Sequence, residues 1–300
     1  MLAIGSRGSQ LALRQARWVQ QKLEQAGCQS RIEIIRTTGD KIQDAPLARI
    51  GGKGLFTKEL EEALLDGRID LAVHSLKDLP TALPAGLQLT AVPPREDARD
   101  VLVGARLAEL AAGAKVGTSS LRRAAQLRAL RADLRIEPVR GNLDTRLRKL
   151  DEGLYDALLM AAAGLKRMGW EDRIREYLPA ELICPAPGQG ALGVETRSRG
   201  EAARLCAVLD DASVRAAVTA ERAVLEELGG GCQVPIGAYA EARDGRLSMH
   251  ALVAAPDGSR LVRGAIEGPA SEAAELGREL ARRLLASGAR TILEEVYRRQ

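Results

Sequence analysis

The chain has 300 residues, of which 46% are hydrophobic and 28% are charged, a balance typical of a folded protein with two or three domains. Lys and Arg give a formal net charge of +4, but only two Trp, four Tyr and one Phe are present, too few for a base-stacking surface, so small carboxylates or phosphates are the expected partners rather than nucleic acid. No apolar segment follows a basic start and no run approaches a membrane span, which predicts a cytoplasmic protein that is neither exported nor membrane-embedded.

Apolar runs alternate with helical patterns through the first two thirds of the chain, which indicates parallel α/β units. The opening run LAIG predicts a strand. Ser9 can cap the helix that follows, and Gly27 ends it. RIEII at 31–35 is the next predicted strand.

A segment without periodicity interrupts this alternation. Residues 37–54 are predicted to form a mobile loop that acts as a lid, before a helix over LFTKELEEALLDG. The nearly all-apolar run IDLAVHSL at 69–76 predicts a central strand covered on both faces, and LQLTAV at 87–92 predicts another. PPREDARD at 93–100 carries two prolines and five charges, which predicts a crossing to a second domain.

The second domain repeats the pattern, with helices predicted at 119–131 and 142–151 and four strands over DVLVG, KVG, LRIEPV and YDALLMA. Residues 182–195, with Pro185 and Pro187, are interpreted as the return crossing. Two crossings imply two lobes joined by paired hinges. Such lobes close around a ligand at the carboxyl ends of their strands.

From about residue 212 the order changes to a helix, a Gly-rich loop, three strands (234–242, 246–254 and 260–267) and a long helix. The predicted fold class is therefore α/β: two periplasmic-binding-protein-like lobes with mainly parallel sheets and a double hinge, plus a C-terminal α+β domain with a three-stranded antiparallel sheet. The predicted domains are residues 1–93 with 190–208 for lobe 1, 97–185 for lobe 2, and 212–300 for the C-terminal domain.

A carboxylate follows the strand predicted at 69–76. Asp78 lies at the carboxyl end of that strand, which is the ligand-binding side of such a sheet, and Lys77 stands beside it. This placement favours a functional carboxylate. A turn residue before Pro80 is the alternative on position alone.

Two arginines occupy the first turn of a helix that Thr118, Ser119 or Ser120 would cap. Arg122 and Arg123 there oppose the helix dipole, at a cost of about 0.3–1 kcal/mol each. Helix-terminal N–H groups and two guanidinium groups together form a strong carboxylate receptor. Two solvated arginines remain the alternative.

The motif RGNLDTR repeats this idea. Arg140 ends a strand, Asn142 can cap a helix, and the spacing of Arg146 turns it toward the packed face. Arg7, where the first strand gives way to a helix, is counted among the receptors. Six other arginines are interpreted as solvated surface charge: Arg128, Arg131, Arg135, Arg148, Arg298 and Arg299.

Cys232 stands in the run GGGCQVPIG, a flexible and exposed setting in which a covalent attachment could be built. A turn that happens to contain cysteine is the alternative. The remaining cysteines and the histidines lack metal-ligand spacing, so neither a metal site nor a disulfide framework is expected: Cys28, Cys184, Cys206, His74 and His250.

An ordered set of motifs resembles the porphobilinogen deaminase family, also called the hydroxymethylbilane synthase family. The motifs are IGSRGSQLALRQ, GGKGLFTKEL, VHSLKDLP, GTSSLRR, RGNLDTR, AGLKR, PAPGQGALGVE and GGGCQVPIG. They span residues 4–237, and beyond about residue 240 the match is only general. The resemblance implies one dipyrromethane cofactor per chain, bound covalently through a thioether to Cys232, which makes residues 212–300 the cofactor-attachment domain.

The resemblance also implies a transferase of tetrapyrrole and heme biosynthesis. Such an enzyme joins four porphobilinogen molecules head to tail with loss of ammonia and releases hydroxymethylbilane by hydrolysis. Each porphobilinogen carries two carboxylates, so the growing chain needs many cationic receptors. The implied cofactor contacts are Ser75, Lys77, Thr118, Ser120, Arg122, Arg123, Arg140, Asn142 and Arg146. The implied substrate contacts are Arg7, Ser9, Lys53, Arg167 and Gln189, while the individual role of Arg49 stays open.

The same chemistry makes Asp78 the expected catalytic residue. Loss of ammonia from the substrate leaves an electron-poor azafulvene cation, which a nearby carboxylate stabilises while it assists proton transfer. We further expect a monomer with no metal, and a product passed to uroporphyrinogen-III synthase. The alternatives are a two-lobed small-anion binding module without catalysis and, more remotely, a nucleic-acid binder. What stops elongation at four additions is not readable from the sequence.

Overall fold

The computed structural model describes residues 1–41, 54–230 and 234–298. They divide into two compact units, Met1–Glu96 with Gly190–Arg215 and Asp97–Gln189 with Ala216–Gln300. Four residues singled out in the sequence lie outside the described ranges: Arg49, Lys53, Cys232 and Arg299.

The described strands alternate with helices over most of the chain. The strands are β1 (Leu2–Ser6), β2 (Ser30–Ile34), β3 (Leu71–Ser75), β4 (Leu87–Ala91), β5 (Asp100–Val103), β6 (Lys115–Gly117), β7 (Arg135–Glu137), β8 (Ala157–Ala161), β9 (Ile174–Leu178), β10 (Leu192–Arg197), β11 (Ile236–Arg243), β12 (Arg246–Ala254) and β13 (Leu261–Pro269). The helices are α1 (Gln10–Gln25), α2 (Thr38–Lys41), α3 (Lys58–Leu65), α4 (Leu121–Leu130), α5 (Leu143–Asp151), α6 (Ala162–Met168), α7 (Glu201–Cys206), α8 (Ala212–Glu227), α9 (Ala273–Leu284) and α10 (Arg290–Arg298).

Helix α1 shows how closely local sequence sets an element. The Ser9 hydroxyl accepts a hydrogen bond from the Ala12 amide at 3.3 Å, which caps the first turn. Val19 and Leu23 repeat at helical spacing and are fully buried. Gly27 follows the last turn with a φ of +81°, a conformation that glycine adopts without strain. The predicted start and end of this helix are both confirmed.

The first unit contains a five-stranded sheet in the order β2-β1-β3-β10-β4. Strands β1, β2 and β3 pair in parallel, whereas β10 pairs antiparallel with both β3 and β4. Four strands therefore share one direction and β10 opposes them. Strand β3 lies at the centre, as the all-apolar run at 69–76 predicted.

The chain passes from one unit to the other between Gln189 and Gly190, inside the segment 182–195 interpreted as the return crossing, but the last four residues of that segment belong to β10 (Leu192–Arg197). Two residues hide this strand from pattern reasoning. A Cβ on Gly193 would lie 3.0 Å from the Leu89 side chain, so the strand packs tightly against its neighbour at this glycine. Glu195 is an acidic residue that is fully buried, and His74 Nε2 lies 2.9 Å from its Oε2.

The second unit contains a sheet in the order β7-β6-β8-β5-β9, in which β5 opposes the other four strands. Both faces are covered. Leu102 and Leu159 pack on one side, while Val101, Leu158 and Met160 pack on the other. The edge strand β9 was not predicted, because its charged sequence IREYL does not resemble the buried strands beside it.

The same unit holds the antiparallel sheet β11-β12-β13. Asp244 and Gly245 connect β11 to β12 with φ of +51° and +75°, the two-residue turn that suits a right-twisted hairpin. Helices α8, α9 and α10 cover this sheet. The long C-terminal helix predicted from sequence is interrupted at Gly288, where φ is +108°.

The fold class is therefore confirmed: two sheets of mainly parallel strands and one three-stranded antiparallel sheet. The segment at 37–54 departs from its prediction where it is described, since α2 forms a helical turn there. Across the described ranges, no helix combines the length and the apolar character needed to span a bilayer.

Candidate active site

Asp78 ends a short 3-10 helix, Leu76–Asp78, that continues directly from β3. The buried side chains of Leu76 and Leu79 anchor this turn on both sides of Asp78. Asp78 itself is half-buried, and its carboxylate makes no hydrogen bond or ion pair with any residue that the structure describes. The fold thus holds the backbone of Asp78 in place and leaves its carboxylate available.

The same strand end carries two more of the expected contact residues. Ser75 Oγ lies 2.9 Å from Gln15 Nε2, which donates to it, and the buried Gln15 links β3 to α1. Lys77, the next residue but one after Ser75, is half-buried. Three predicted site residues, Ser75, Lys77 and Asp78, therefore lie within one turn at the carboxyl end of β3.

Arg7 is less free than its sequence position implied. Its guanidinium donates to Asp40 in α2 through Nε at 3.2 Å and packs 4.1 Å from the ring centre of Phe56. Burial alone would raise the pKa of Asp40, but hydrogen bonds from Arg7 and Thr37 outweigh it and lower that pKa. A ligand carboxylate at Arg7 would compete with Asp40, and Ser9 already caps α1 with its hydroxyl.

In the second unit, Arg122 and Arg123 converge on one buried carboxylate. Arg122 donates to Asp100 Oδ2 at 2.7 Å, and Arg123 donates to Oδ1 at 2.7 Å. Asp100 is 0% exposed, Arg122 is 4% and Arg123 is 7% exposed. These three residues are called the arginine cluster below.

Electrostatics keep the arginine cluster ionised. Burial by itself would raise the pKa of Asp100, but attraction to Arg122 and Arg123 lowers it far below the usual range. Burial lowers the pKa of Arg123, whereas attraction to Asp100 opposes this fall. One carboxylate and two guanidinium groups leave one positive charge in excess.

An unused donor also points to a ligand. Arg122 Nε is buried and has no hydrogen-bond partner within the described ranges. Leaving a buried donor unpaired costs about 1–3 kcal/mol, so an incoming acceptor would be favoured. A buried donor beside an excess positive charge fits a cofactor that carries carboxylates.

Gln189 completes the surroundings of the cluster. Its Nε2 donates to Asp100 Oδ1 at 2.7 Å and to the Ala98 carbonyl at 2.7 Å. Its Oε1 accepts from Arg122 and Arg123 at 3.4 and 3.3 Å. Gln189 therefore bridges both arginines and their counter-ion.

Ser120 caps α4 by accepting from the Arg123 amide at 3.4 Å, and Thr118 Oγ1 accepts from the Ser120 amide at 3.3 Å. Ser119 instead donates to the Val139 carbonyl at 2.7 Å, which joins this turn to the end of β7. Both predicted hydroxyl contacts thus lie at the start of the helix that carries the arginines.

The RGNLDTR motif forms the start of α5. Asn142 occupies the cap position but makes no side-chain cap bond, and Arg146 Nε donates to the Gly141 carbonyl at 2.8 Å. The Arg140 guanidinium has no ion pair or hydrogen bond inside the described parts of the chain. Arg167 lies in the last turn of α6, half-buried and in contact with its surroundings.

Two arginines interpreted as solvated surface charge have structural roles instead. Arg128 donates to the Pro256 carbonyl at 2.7 Å, which links α4 to the antiparallel sheet domain. Arg131 donates to the carbonyls of Leu107 and Leu110 at 2.9 Å each. Pattern reasoning could not find these carbonyl acceptors, because they lie far away in the chain.

The thiols that the structure describes are poor candidates for attachment. Burial raises the pKa of Cys184 to about 12 and that of Cys206 to about 12, which leaves almost no thiolate at neutral pH. Cys28 is partly exposed. Cys232, the predicted attachment residue, is outside the described residues, as is Lys53.

Sequence reasoning missed Asp100 and Asp40, the two carboxylates that hold predicted receptor arginines. Asp100 had a weak signal, since an acid opens the otherwise apolar strand DVLVG. A carboxylate at the start of a buried strand needs a cationic partner, and the adjacent arginines Arg122 and Arg123 were candidates for that partner. Asp40 had no such signal.

Comparison with known proteins agrees with this geometry. Residues 2–204 match the family model "Porphobilinogen deaminase, dipyromethane cofactor binding domain", and residues 215–286 match "Porphobilinogen deaminase, C-terminal domain". A porphobilinogen deaminase of Desulforudis audaxviator is 54% identical, with 98% of this chain and 97% of that protein covered. One of Syntrophobacter fumaroxidans is 52% identical, with coverage of 99% and 98%.

Among solved structures, a periplasmic substrate-binding protein of an ABC transporter from Coxiella burnetii is similar at 14% identity. Its TM-score is 0.43, with 70% of this chain and 91% of that chain covered.

The predicted transferase activity and the dipyrromethane cofactor are confirmed by the family models and by relatives that match over nearly the whole chain. The relatives are named as deaminases, so they do not support the alternative of a small-anion binding module without catalysis. Asp78, whose carboxylate has no partner within the described ranges, and the arginine cluster occur in a sequence that aligns with these relatives over nearly its whole length. The chain belongs to the porphobilinogen deaminase family.

Proposed function

We propose that Asp78 is the catalytic carboxylate of this transferase and that Cys232 carries its cofactor. The observation that carries the first assignment is the Asp78 carboxylate itself, which is held at the end of β3 with no partner among the described residues. A carboxylate already paired with a cation would have little charge left for a substrate. Asp78 is therefore able to stabilise positive charge that develops on a pyrrole and to accept a proton from it.

The arginine cluster is the proposed receptor for the acidic side chains of the cofactor. Its excess positive charge and the unpaired Arg122 Nε support this role. When bound, the dipyrromethane supplies the electron-rich pyrrole end from which the product grows. The cluster binds and orients this group, and Arg140 and Arg146 at the start of α5 extend the cationic surface.

Arg7, Ser9, Lys53, Arg167 and Gln189 are the proposed substrate contacts. The buried position of Gln189 between Asp100 and both arginines supports a role in orienting the receptor as well. We also propose that the enzyme works in the cytoplasm and that its product passes to uroporphyrinogen-III synthase. The bacterial relatives named porphobilinogen deaminase support a place in tetrapyrrole biosynthesis, from which both proposals are drawn.

The attachment residue is tested by intact mass. Cys232→Ser should yield protein of the bare sequence mass, because a serine hydroxyl cannot replace the thiolate that forms the thioether. Wild-type protein should be heavier by one dipyrromethane. Cys28→Ser is the matched control, since Cys28 is partly exposed, and it should keep the adduct. An adduct that persists in Cys232→Ser would overturn the assignment.

A further inference from the structure

Glu221 on α8 is a buried carboxylate to which no role has been given above. It is 0% exposed. Its Oε2 accepts from the Gly188 amide at 2.6 Å, and its Oε1 accepts from the Ala240 amide at 2.9 Å. One side chain thus joins three segments that are distant in the chain: α8, the turn that contains Gly188, and β11.

The turn at Gly188 leads directly to the arginine cluster. Gly188 has a φ of +74°, and the Gln189 amide donates to the Ala186 carbonyl at 2.9 Å, which closes a tight turn. The next side chain, Gln189, donates to Asp100 at 2.7 Å and accepts from both arginines. Holding the Gly188 amide therefore also holds the position of Gln189.

The other two segments flank the proposed attachment residue. Helix α8 ends at Glu227 and β11 begins at Ile236, so Cys232 lies in the short connection between them. Ala240 lies four residues into β11. Glu221 therefore lies on the element before that connection, α8, and accepts a hydrogen bond from the element after it, β11.

Neighbouring contacts strengthen the same junction. The Ala238 amide donates to the Pro185 carbonyl at 3.0 Å. A Cβ on Gly237 would lie 3.0 Å from the Cys184 side chain, so β11 packs closely on the segment before the Gly188 turn. The Cys184 carbonyl in turn accepts from Arg122.

A carboxylate at this place is expensive to bury, since desolvation opposes it. An apolar side chain could fill the same volume but could not accept from two amides that come from different segments. The two charge-assisted hydrogen bonds are what the glutamate adds.

We propose that Glu221 is a positioning residue for cofactor attachment: it links α8 and β11, the two elements that precede and follow Cys232 in the chain, to the Gly188–Gln189 turn beside the arginine cluster. This inference rests on the proposed roles of Cys232 and the cluster. Glu221 acts through the turn and does not touch the cofactor itself.

The test follows loading of the cofactor and not only turnover. Apo-protein is prepared in cells that cannot make porphobilinogen, porphobilinogen is then added, and the covalent mass gain is followed by intact mass spectrometry. Glu221→Gln keeps the shape but places an amide NH2 against one backbone donor. Loading should slow by about 10- to 100-fold, the usual result of a small misplacement of reacting groups.

The matched control is Glu226→Gln, an exposed glutamate on the same helix, which should load within about twofold of wild type because it loses no buried bond. Glu221→Gln that loads at the wild-type rate would overturn the positioning role while leaving Cys232 as the attachment residue. An adduct in Cys232→Ser would instead remove the proposed function, so the two failures are distinguishable.

A double-mutant cycle separates positioning from general loss of stability. If Glu221 acts through the turn, the Glu221→Gln and Gln189→Ala variants should slow loading non-additively, with the double variant close to the slower single variant. Independent effects that multiply would contradict the proposal.

Hydrogen exchange gives a readout in the wild-type protein, even if Glu221→Gln fails to fold. The Gly188 amide should exchange as slowly as the Ala240 amide, because both donate to the same buried carboxylate. Rapid exchange at Gly188 beside slow exchange at Ala240 would overturn the inference.

Discussion

Asp78 in the first unit and Asp100 in the second are the same residue type in opposite settings. Asp100 is fully buried and holds two arginines at 2.7 Å. Asp78 is half-buried and has no partner among the described residues. Asp100 is a counter-ion whose charge is neutralised inside the protein, whereas we propose that the carboxylate of Asp78 faces the substrate.

The contrast shows that the ion-pair partners of a carboxylate, as well as its burial, distinguish a carboxylate that stabilises the fold from one proposed to act on a substrate. A pKa held far below the usual range identifies Asp100 as the ionised partner of its two arginines. Substitutions at the two positions should differ in kind: one should abolish chemistry and the other should weaken the fold.

The largest effect is expected at Asp78. Asp78→Asn keeps the shape of the side chain but removes the charge that would face a cationic pyrrole. Two unit charges about 4 Å apart interact by about 4 kcal/mol at an effective dielectric of about 20, so turnover should fall about a thousandfold. Steady-state product formation measures this fall.

The melting temperature of Asp78→Asn should stay close to that of wild type, because the carboxylate has no partner to lose among the residues that the structure describes. Asp66→Asn is the control, since Asp66 is an exposed residue of the same unit that pairs with Arg68 at 3.4 Å. Near-normal turnover in Asp78→Asn would place the chemistry elsewhere.

The opposite result is expected for Asp100→Asn, which leaves two buried guanidinium groups without a counter-ion. The free energy of unfolding should drop by about 3–5 kcal/mol, as measured by urea denaturation at pH 7. Asp133→Asn, at the exposed Arg131 pair, is the control and should leave the urea midpoint almost unchanged.

The pH dependence of stability gives a further test of the role of Asp100. The pKa of Asp100 is lower in the folded chain than in the unfolded chain, so its stabilisation is complete above about pH 4 and fades as pH falls toward the folded value. The stability difference between wild type and Asp100→Asn should therefore shrink in acid. A difference that grows as pH falls would contradict the assignment of Asp100 as the ionised counter-ion.

The smallest change in stability is expected at Glu61, a buried carboxylate on α3 near Glu195 and His74. Burial raises the pKa of Glu61, and the charge of Glu195 adds to the rise. Because the folded pKa exceeds the unfolded one, the ionised form is penalised at neutral pH. Glu61→Gln should therefore raise the melting temperature of the protein at pH 7.

That gain should disappear as pH falls below the unfolded pKa of Glu61, where wild type is protonated in both states. Thermal melts at pH 7 and pH 4 measure it. Glu62→Gln, at an exposed neighbour on the same helix, is the control and should change stability by under about 0.5 kcal/mol. A destabilised Glu61→Gln at pH 7 would show that the charged form is favoured.

Local signals in the sequence carried much of this fold. The Ser9 cap, the apolar run before Asp78 and the alternation over 234–267 each depend on residues within one element or hairpin. The same is true of Ser120, whose capping role needs only the amide of Arg123 three residues later.

Long-range partners explain what the sequence did not reveal. Arg122 and Arg123 were expected to face a ligand, yet both also donate to Asp100, which lies 22 residues before Arg122. Strand β10 contains a glycine and a glutamate, whose presence makes sense only beside Leu89 and His74. Periodicity within a window cannot reveal neighbours that arrive from another part of the chain.

Strand β10 also sets the timing of folding during synthesis. It lies between β3 and β4, and its residue Val194 pairs with Val73 from more than a hundred residues earlier. Until the ribosome has released the chain through Arg197, the flank of β3 exposes unpaired backbone groups and apolar side chains. The first unit is therefore completed late in translation. A nascent chain that stalls before β10 is synthesised would expose a surface to which chaperones bind.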